Sequence, residues 1–302
     1  MKIIFAGNGL RANVCINYLI KKKYNIVALI GHPKEKTDEF NFKSIKNLSY
    51  KYELPFINPK NINSNKTFLW IKKFDPDLII LCGYSNNILK KKLLDYPSYG
   101  AINLHASPLP FYRGGSPLNW MIINNLKKIG ISIIKADVGI DTGDILDQKF
   151  FKFSQKKDIN DLIKKVNSYY PSMLVNVLKK MKKNNLIKKS QKNRKFSFYP
   201  KRKPEDGLIN FKEMTSLKIY NYCRALKDPF SGAYFFYDKK KIKILECVAE
   251  KEKPLLKKNS YYVVIKCKNS YLKINKIKVK NKAYVAKKLY LYLKNLNKKY
   301  KA

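Results

Sequence analysis

Short, almost wholly apolar runs separated by longer amphipathic stretches make up the first third of the chain. The runs lie at residues 2–6, 25–31, 77–83 and 100–104. Their lack of alternation is typical of strands buried on both faces of a parallel sheet. Between them, the apolar spacing predicts a helix after Gly9 that runs to about Lys22, a second helix near 42–52 and a short strand at 55–57. This alternation predicts a doubly wound, Rossmann-like α/β domain, whose ligands bind at the carboxyl ends of its strands.

The pattern changes in the second half of the chain. A strand is predicted at 130–135 and a long helix over 158–183, after which residues 188–206 turn polar and basic and include Pro200 and Pro204. Further on, the pattern predicts a helix and then short alternating strands, which are typical of a small β-rich, barrel-like module. These later elements are a helix at 216–226, strands at 242–248, 261–267 and 271–279, and a basic helix at 283–300.

These boundaries divide the chain into two domains and a connection. We predict an N-terminal domain over residues 1–188, a linker over 189–206 and a smaller C-terminal domain over 207–302. A chain of 302 residues is long enough for a large core and a second module.

The charge balance by itself identifies no partner. The chain has 64 Lys and Arg against 21 Asp and Glu, a formal net charge of +43. Clustered bases would indicate a surface for nucleic acid or another polyanion. All but five of these bases are lysine, however, and they are spread along a chain that is equally rich in Asn, Ile and Tyr, as an A/T-rich genome would favour. Both interpretations remain open.

Cysteine usage and hydropathy indicate the compartment. The five cysteines are odd in number and lack metal-ligand spacing, so we expect buried free thiols, a reducing compartment and no metal. The apolar run at the N-terminus is too short for a signal peptide, and no run approaches the length of a membrane span. A cytoplasmic protein without membrane insertion is expected.

The first turn raises the question of dinucleotide binding. Residues 7–12 read Gly-Asn-Gly-Leu-Arg-Ala, which matches the G-x-G-x-x-G/A pattern after a strand. The second strand, however, ends at Gly31-His32-Pro33 without the acidic residue that holds the ribose hydroxyls. NAD binding is therefore the weaker interpretation, and a plain tight turn, with room for a substrate phosphate as a further option, is the stronger. His32, beside a proline in a predicted loop, is expected to be a surface histidine.

Three polar residues offer a specific chemistry. Asn103 and His105 are two apart at a predicted strand end and so share a face, and Asp141 follows one strand later. An amide can donate to a tetrahedral oxyanion, a neutral imidazole can accept the proton of an attacking amine, and a carboxylate can orient that imidazole. The spacing fits acyl transfer to an amine, but three ordinary polar loop residues would show the same spacing.

The surrounding motifs resemble a known family. Asn-Leu-His-Ala-Ser-Pro-Leu-Pro at 103–110, Tyr-Arg-Gly at 112–114 and Asp-Thr-Gly-Asp-Ile-Leu at 141–146 closely resemble the folate-dependent formyltransferases. That family uses 10-formyltetrahydrofolate and includes glycinamide ribonucleotide, methionyl-tRNA and amino-sugar formyltransferases. The resemblance covers roughly residues 1–245 and includes a C-terminal barrel-like domain. It implies that Asn103 stabilises the oxyanion, His105 shuttles the proton and Asp141 tunes His105.

The same resemblance implies binding residues. Three loops are expected to line the folate pocket, and Pro108 departs from the family by replacing a leucine. The implied folate residues are Asn87, Ile88, Leu89, Ser107, Pro108, Leu109, Pro110, Asp137, Val138, Gly139 and Ile140. The acceptor is expected to contact Gly9, Arg113, Lys201 and Arg202.

The resemblance also bears on the acceptor. Residues 113–120 and 200–206 look most like the enzyme that formylates UDP-4-amino-4-deoxy-arabinose, although Gly115 replaces an arginine of that enzyme. Methionyl-tRNA formyltransferases usually carry a Gly-Arg-Gly, lysine-rich insertion after the second strand, whereas residues 33–40 here are mixed in charge. We therefore expect an N-formyltransferase acting on a nucleotide-linked amino sugar, with charged initiator tRNA as the alternative. From another class, a non-catalytic RNA-binding protein on the same fold would have no need for Asn103, His105 and Asp141 together.

Overall fold

The computed structural model describes residues 1–33, 44–84, 87–237, 239–254, 262–280 and 282–285, together with Lys288 and Leu291. The chain forms two compact units. The first contains residues 1–117, 127–153 and 161–201, and the second contains residues 118–126, 154–160 and those from 202 onward.

The first unit begins with alternating strands and helices, as the sequence predicts. Its elements up to the middle of the chain are β1 (Lys2–Gly7), α1 (Gly9–Lys21), β2 (Asn25–Ile30), α2 (Lys46–Lys51), β3 (Phe56–Ile57), α3 (Asn65–Lys72), β4 (Leu78–Cys82), α4 (Lys91–Asp95), β5 (Ala101–His105) and β6 (Arg113–Gly114). The predicted helix near 42–52 is shorter than expected, and residues 34–43 lie outside the described part. Helices α3 and α4 were not predicted.

The remaining elements complete both units. They are α5 (Pro117–Ile123), β7 (Lys128–Lys135), β8 (Ile145–Lys152), α6 (Ile159–Lys182), β9 (Phe198–Tyr199), a 3-10 turn at Pro204–Gly207, α7 (Ser216–Ala225), β10 (Ala233–Tyr237), β11 (Lys240–Glu250), β12 (Val263–Cys267), β13 (Ser270–Val279) and β14 (Lys282–Val285).

A seven-stranded sheet forms the centre of the first unit, in the order β3-β2-β1-β4-β5-β7-β8. The strands from β3 to β5 are parallel, and their apolar side chains are buried because helices cover such sheets on both faces. The fold class is confirmed, but the sheet is mixed, because β7 and β8 each run antiparallel to their neighbour. The strand order reverses between β1 and β4, where doubly wound sheets bind their ligands.

The second unit contains an antiparallel sheet in the order β10-β11-β13-β12, with β14 also paired to β13. It matches the predicted β-rich module, while β10 and β14 were not predicted. Residues 283–285 belong to β14, so the helix predicted from 283 does not start there; of its remaining residues, only Lys288 and Leu291 are described.

The predicted linker differs from the structure in its first half. Lys189 forms a bridge with Ile145 of β8, and β9 pairs in parallel with β6. Residues 189–201 are therefore built into the first unit. The linker prediction rested on their polarity, and polarity does not reveal pairing with a distant strand.

All five cysteines are free and buried, as predicted. Within the described residues, every helix is too short or too polar to cross a bilayer. The same residues hold no group of three or more His, Cys, Asp and Glu side chains arranged to share a metal ion.

Candidate active site

The three residues singled out by the sequence meet around one carboxylate. Asp141 Oδ1 lies 3.2 Å from Nδ1 of His105, and the same oxygen accepts a hydrogen bond from Nδ2 of Asn103 at 3.2 Å. Asp141 Oδ2 accepts a third hydrogen bond, from the backbone N–H of Gly114 at 2.9 Å. Asn103 and His105 share a face of β5, and the loop between β7 and β8 folds back to bring Asp141 beside them. The grouping that the sequence predicted is therefore present.

The imidazole of His105 lies between two oxygens. Its Nδ1 faces Asp141, and its Nε2 lies 2.9 Å from the backbone carbonyl of Tyr112. A neutral imidazole has one N–H and can satisfy one of these acceptors, whereas an imidazolium satisfies both. The side chains of His105 and Asp141 are only 8% and 10% exposed. Each ring nitrogen therefore faces a fixed oxygen, and of these two oxygens only that of Asp141 belongs to an ionisable group.

The amide of Asn103 retains donor capacity. Its Nδ2 carries two N–H groups, of which one donates to Asp141 and orients the amide, and the second can donate to a further acceptor. An oriented amide donor beside a proton acceptor is the combination needed to stabilise an oxyanion. The arrangement can therefore support acyl transfer to a nitrogen nucleophile.

The loop that carries Asp141 is held in a strained conformation. Asp141 has φ of 55°, a left-handed conformation that non-glycine residues adopt at some cost. Asp137 braces the loop, since its Oδ1 accepts hydrogen bonds from the Gly139 N–H at 3.1 Å and the Thr142 hydroxyl at 2.7 Å. At Gly143 a Cβ would lie 1.8 Å from the carbonyl oxygen of Lys135, so only glycine fits there.

Two of the predicted folate loops present apolar side chains to solvent. Val138 is 67% exposed, and Ile88 and Ile140 are each about half exposed. Leu89, by contrast, is buried in the core. Asn87 accepts a hydrogen bond from the Ile62 N–H at 3.4 Å. Their part in folate binding stays a prediction.

The third predicted folate loop, residues 107–110, is held by hydrogen bonds to the side chain of Ser132. The Ser132 hydroxyl donates to the carbonyl of Ser107 at 2.7 Å and accepts from the Leu109 N–H at 3.3 Å. Ser107, Leu109 and Pro110 are buried. Pro108 packs closely on Gly130, where a Cβ would lie 2.5 Å from the proline ring.

The predicted acceptor-binding residues have different surroundings. Gly9 has φ of 83° and open space where a Cβ would be, so a ligand could approach its backbone. Arg113 is buried, and its guanidinium binds the side chain of Gln191 instead of facing solvent. Within the second unit, Arg202 is 3% exposed and stacks over the rings of Trp120 and Tyr222. The part of these residues in acceptor binding stays a prediction.

The position of Lys201 explains why residue 115 is a glycine here and not the arginine of the UDP-amino-arabinose enzyme. A Cβ on Gly115 would lie 2.4 Å from Cα of Lys201, and the Gly115 N–H donates to the carbonyl of Tyr199 at 2.8 Å. No larger side chain fits at position 115 on this backbone. Glycine therefore replaces the arginine because the segment around Lys201 passes directly against it.

Gln191 was not predicted to belong to the site. This residue is buried beside the Asp141 loop, although it belongs to the segment predicted to be a solvated linker. A lone glutamine among lysines carries no recognisable pattern, so only the fold could reveal it.

Lys135 lies at the end of β7, next to the same loop. Burial lowers the pKa of its ammonium, and the positive charge of Lys188 lowers it further, while Asp95 acts in the opposite direction. The ammonium donates to the carbonyl of Tyr99. This lysine ties β7 to the chain before β5.

Two family models match most of this chain. The family described as formyl transferase matches residues 1–178, and the one described as formyl transferase, C-terminal domain, matches residues 201–291. The methionyl-tRNA formyltransferase of Caldanaerobacter subterraneus is 32% identical over 286 residues, which cover 92% of each chain. The bifunctional polymyxin resistance protein ArnA of Wigglesworthia glossinidia is 36% identical over 244 residues, 80% of this chain but 37% of that longer protein.

Solved structures share the fold. WlaRD, a sugar 3N-formyltransferase crystallised with dTDP and 5-N-formyl-THF, matches with a TM-score of 0.68 and 20% identity, covering 93% of this chain and 98% of its own. The methionyl-tRNA formyltransferase of Clostridium thermocellum matches with a TM-score of 0.61 and 19% identity, covering 93% and 100%. At these identities the likeness establishes the fold.

Proposed function

This chain belongs to the formyl transferase family, and from that premise we propose that it transfers a formyl group from 10-formyltetrahydrofolate to the primary amine of a nucleotide-linked amino sugar. The observation that carries the proposal is the single carboxylate of Asp141, which contacts both Asn103 and His105.

The chemistry follows from these contacts. The amine nitrogen attacks the formyl carbon, a carbon–nitrogen bond forms, and the carbonyl oxygen becomes an oxyanion that the amide N–H of Asn103 stabilises. His105 accepts the proton that the amine loses and returns a proton to N10 of the folate as the bond between that nitrogen and the formyl carbon breaks. Asp141 stabilises the imidazolium between these steps. The products are the formylated amine and tetrahydrofolate, and no metal takes part in this scheme.

The folate assignment is supported by the apolar surface of the two loops near residues 88 and 138. Exposed Ile88, Val138 and Ile140 offer the kind of surface that a flat aromatic ring system covers. WlaRD, which shares the fold, was crystallised with 5-N-formyl-THF. The donor to this chain is thus proposed from fold, motif and loop chemistry together.

An amino-sugar acceptor is supported by the sequence around the site. Residues 113–120 and 200–206 resemble the enzyme that acts on a UDP-linked amino sugar, and residues 33–40 lack the Gly-Arg-Gly insertion typical of the tRNA enzymes. WlaRD was crystallised with a nucleotide, dTDP. The open backbone at Gly9 would suit a phosphate group.

Charged initiator tRNA is the second candidate. It is favoured by the Caldanaerobacter relative, which matches along 92% of both chains, and by the net charge of +43. A cytoplasmic location would suit either acceptor and stays a prediction.

An acceptor screen tests the proposal. The purified full chain is incubated with 10-formyltetrahydrofolate and, in separate reactions, UDP-linked or dTDP-linked amino sugars or methionyl initiator tRNA. Mass spectrometry or acid-gel analysis then detects the formylated product, and His105→Asn serves as the inactive control. We expect formylation of at least one sugar nucleotide and none of the tRNA. Formylation of tRNA alone would overturn the acceptor assignment, and no formylation of any amine would overturn the proposed function.

A further inference from the structure

Gln191 uses its entire side-chain amide inside the first unit. Its Nε2 donates to two backbone carbonyls, that of Asp141 at 3.0 Å and that of Gly143 at 2.6 Å. Its Oε1 accepts from Nη2 of Arg113 at 2.9 Å and from Nε at 3.3 Å. Gln191 is 3% exposed. A buried glutamine with all these contacts made fixes the groups around it, because breaking any one would leave a buried polar group without a partner.

Arg113 determines which way this amide faces. Its guanidinium has donors only, so it must meet the oxygen of Gln191 and not the nitrogen. The guanidinium is also held against the ring of Phe196 at 4.8 Å. The nitrogen of Gln191 is therefore directed at the carbonyls of the Asp141 loop. Arg113 accordingly orients Gln191.

The carbonyl of Tyr112, which faces the other nitrogen of His105, belongs to a residue that is held by the segment of chain just after Gln191. Tyr112, whose carbonyl faces Nε2 of His105, has φ of 61°. Its N–H donates to the hydroxyl of Ser197 at 2.9 Å, and its ring stacks on that of Tyr199 at 4.7 Å between centroids. Residues 189–199, which we call the clamp segment, thus contact the backbone of both residues, Asp141 and Tyr112, whose oxygens face the imidazole.

We propose that Gln191 is a positioning residue of the formyl-transfer site, which holds the backbone of Asp141 so that its carboxylate meets His105 and Asn103 in one fixed orientation. The inference rests on the proposed function and adds to it a residue that touches neither the folate nor the acceptor. Asp141 and Tyr112 both adopt left-handed backbone conformations, which persist only where the surroundings impose them. The clamp segment supplies that restraint.

Three variants separate positioning from general packing. Gln191→Ala removes every contact of the amide. Gln191→Glu keeps the size and the oxygen facing Arg113 but places a second oxygen against the carbonyls of Asp141 and Gly143. Lys192→Ala is the matched control, since Lys192 is the exposed neighbour in sequence.

Kinetics with the acceptor identified by the screen provide the first readout. We expect Gln191→Ala to lower kcat by about 10-fold to 100-fold, because a displacement of about 1 Å at a reacting group has an effect of this size. Gln191→Glu should lower kcat further, while the KM for the folate changes much less than kcat in both variants. Lys192→Ala should match the wild type.

Nuclear magnetic resonance gives a second readout that needs no acceptor. The chain has two histidines, so ring ¹⁵N spectra contain two sets of signals, and His105→Asn assigns them. We expect Gln191→Ala and Gln191→Glu to move the ring signals of His105 while those of His32 stay in place. Thermal melting checks that each variant is folded. If Gln191→Ala does not fold, Gln191→Glu alone is used for both readouts.

The outcomes are distinct for the two proposals. Unchanged kcat together with unchanged His105 ring signals in a folded Gln191 variant would overturn the positioning role. Equal movement of the His105 and His32 signals would also overturn it, because it would indicate a general loss of packing. A wild-type protein that formylates no acceptor would overturn the proposed function, whereas the ring signals would still report whether Gln191 positions the pair.

Discussion

The two histidines of this protein lie at or just after the ends of two strands of the same sheet. Both are buried between two oxygens, but the oxygens belong to different groups. His105 closes β5, and His32 follows β2; they are 7% and 3% exposed. Each ring nitrogen of His32 lies 3.0 Å from a backbone carbonyl, that of Pro33 on one side and that of Gly83 on the other. His105 has one carbonyl and one carboxylate instead. A buried histidine with an oxygen on both sides is therefore not by itself a sign of catalysis; we single out His105 because its partner Asp141 is ionisable and also binds the amide of Asn103.

His32 also corrects an expectation from the sequence. A surface position was expected because His32 precedes a proline in a loop, and this was wrong. The side chain of Asn8 donates to the carbonyl of His32 at 3.0 Å, and the ring of Tyr84 meets the imidazole edge-on at 5.3 Å. The residue joins the chain after β2 to the chain after β4. We assign it to holding these two loops together.

The largest expected effect comes from His105→Ala. Removal of the proton acceptor should lower kcat by about 10² to 10⁴, the usual contribution of a positioned general base. Steady-state kinetics with the identified acceptor measure this, and melting shows whether the fold is intact. If a folded variant kept a near-normal rate, the distinction drawn between the two histidines would fail.

Asn103→Ala should have the next largest effect. The loss of one oxyanion donor is expected to lower kcat by about 10² to 10³ with little change in affinity for the folate. Asn176→Ala provides the control, since Asn176 is an exposed asparagine of α6. Equal rates in the two variants would mean that the amide beside His105 does not act on the reacting atoms.

Asp141→Asn sharpens the comparison, because it makes the partner of His105 neutral, like the partners of His32. The side chain keeps its size but loses the charge that stabilises an imidazolium. We expect kcat to fall by about 10-fold to 100-fold, as for a lost hydrogen bond to a charged group. Single-turnover rates at saturating folate measure it, and wild-type rates would show that the carboxylate charge is dispensable.

His32→Ala should have the smallest effect on the reaction and a clear effect on stability. Loss of this buried ring removes its contacts with the carbonyls of Pro33 and Gly83, so the free energy of unfolding should fall by about 1–3 kcal/mol. Urea unfolding measures this. The kcat of the folded variant should change much less than it does in His105→Ala or Asn103→Ala, because His32 makes no contact in the proposed transition state. A collapse of kcat in folded His32→Ala would place His32 in the reaction and remove the contrast.

Much of the fold could be predicted from the sequence, because local patterns encode it. The runs that form β1, β2 and β4 are apolar apart from a polar first residue in β1 and β2, which is typical of a strand covered on both faces. The direction of β7 could not be predicted, since an apolar strand looks the same whether it runs parallel or antiparallel to its neighbour. Short strands such as β6 and β9 have two residues each and leave no periodic signal.

The candidate site likewise has residues that the sequence predicts and residues whose contacts it does not reveal. Asn103, His105 and Asp141 were predicted from residue types at recognisable spacing and from their resemblance to a family, and the structure brings them into contact. Arg113 was predicted to bind the acceptor, but its guanidinium contacts Gln191. An arginine in a glycine-rich segment looks the same in sequence whether it binds a phosphate or a buried amide.

The sequence alone determined the class of fold, the family and the three polar residues of the site, because each depends on short-range pattern or on motif. Only the tertiary structure decided that the clamp segment contacts the backbone of Asp141 and Tyr112. It alone also showed that His32 is buried and contacts the loops after β2 and β4. These roles depend on contacts between residues that are 24 to 85 positions apart in the chain. Such contacts arise from the path of the backbone, which no local pattern of polar and apolar residues records.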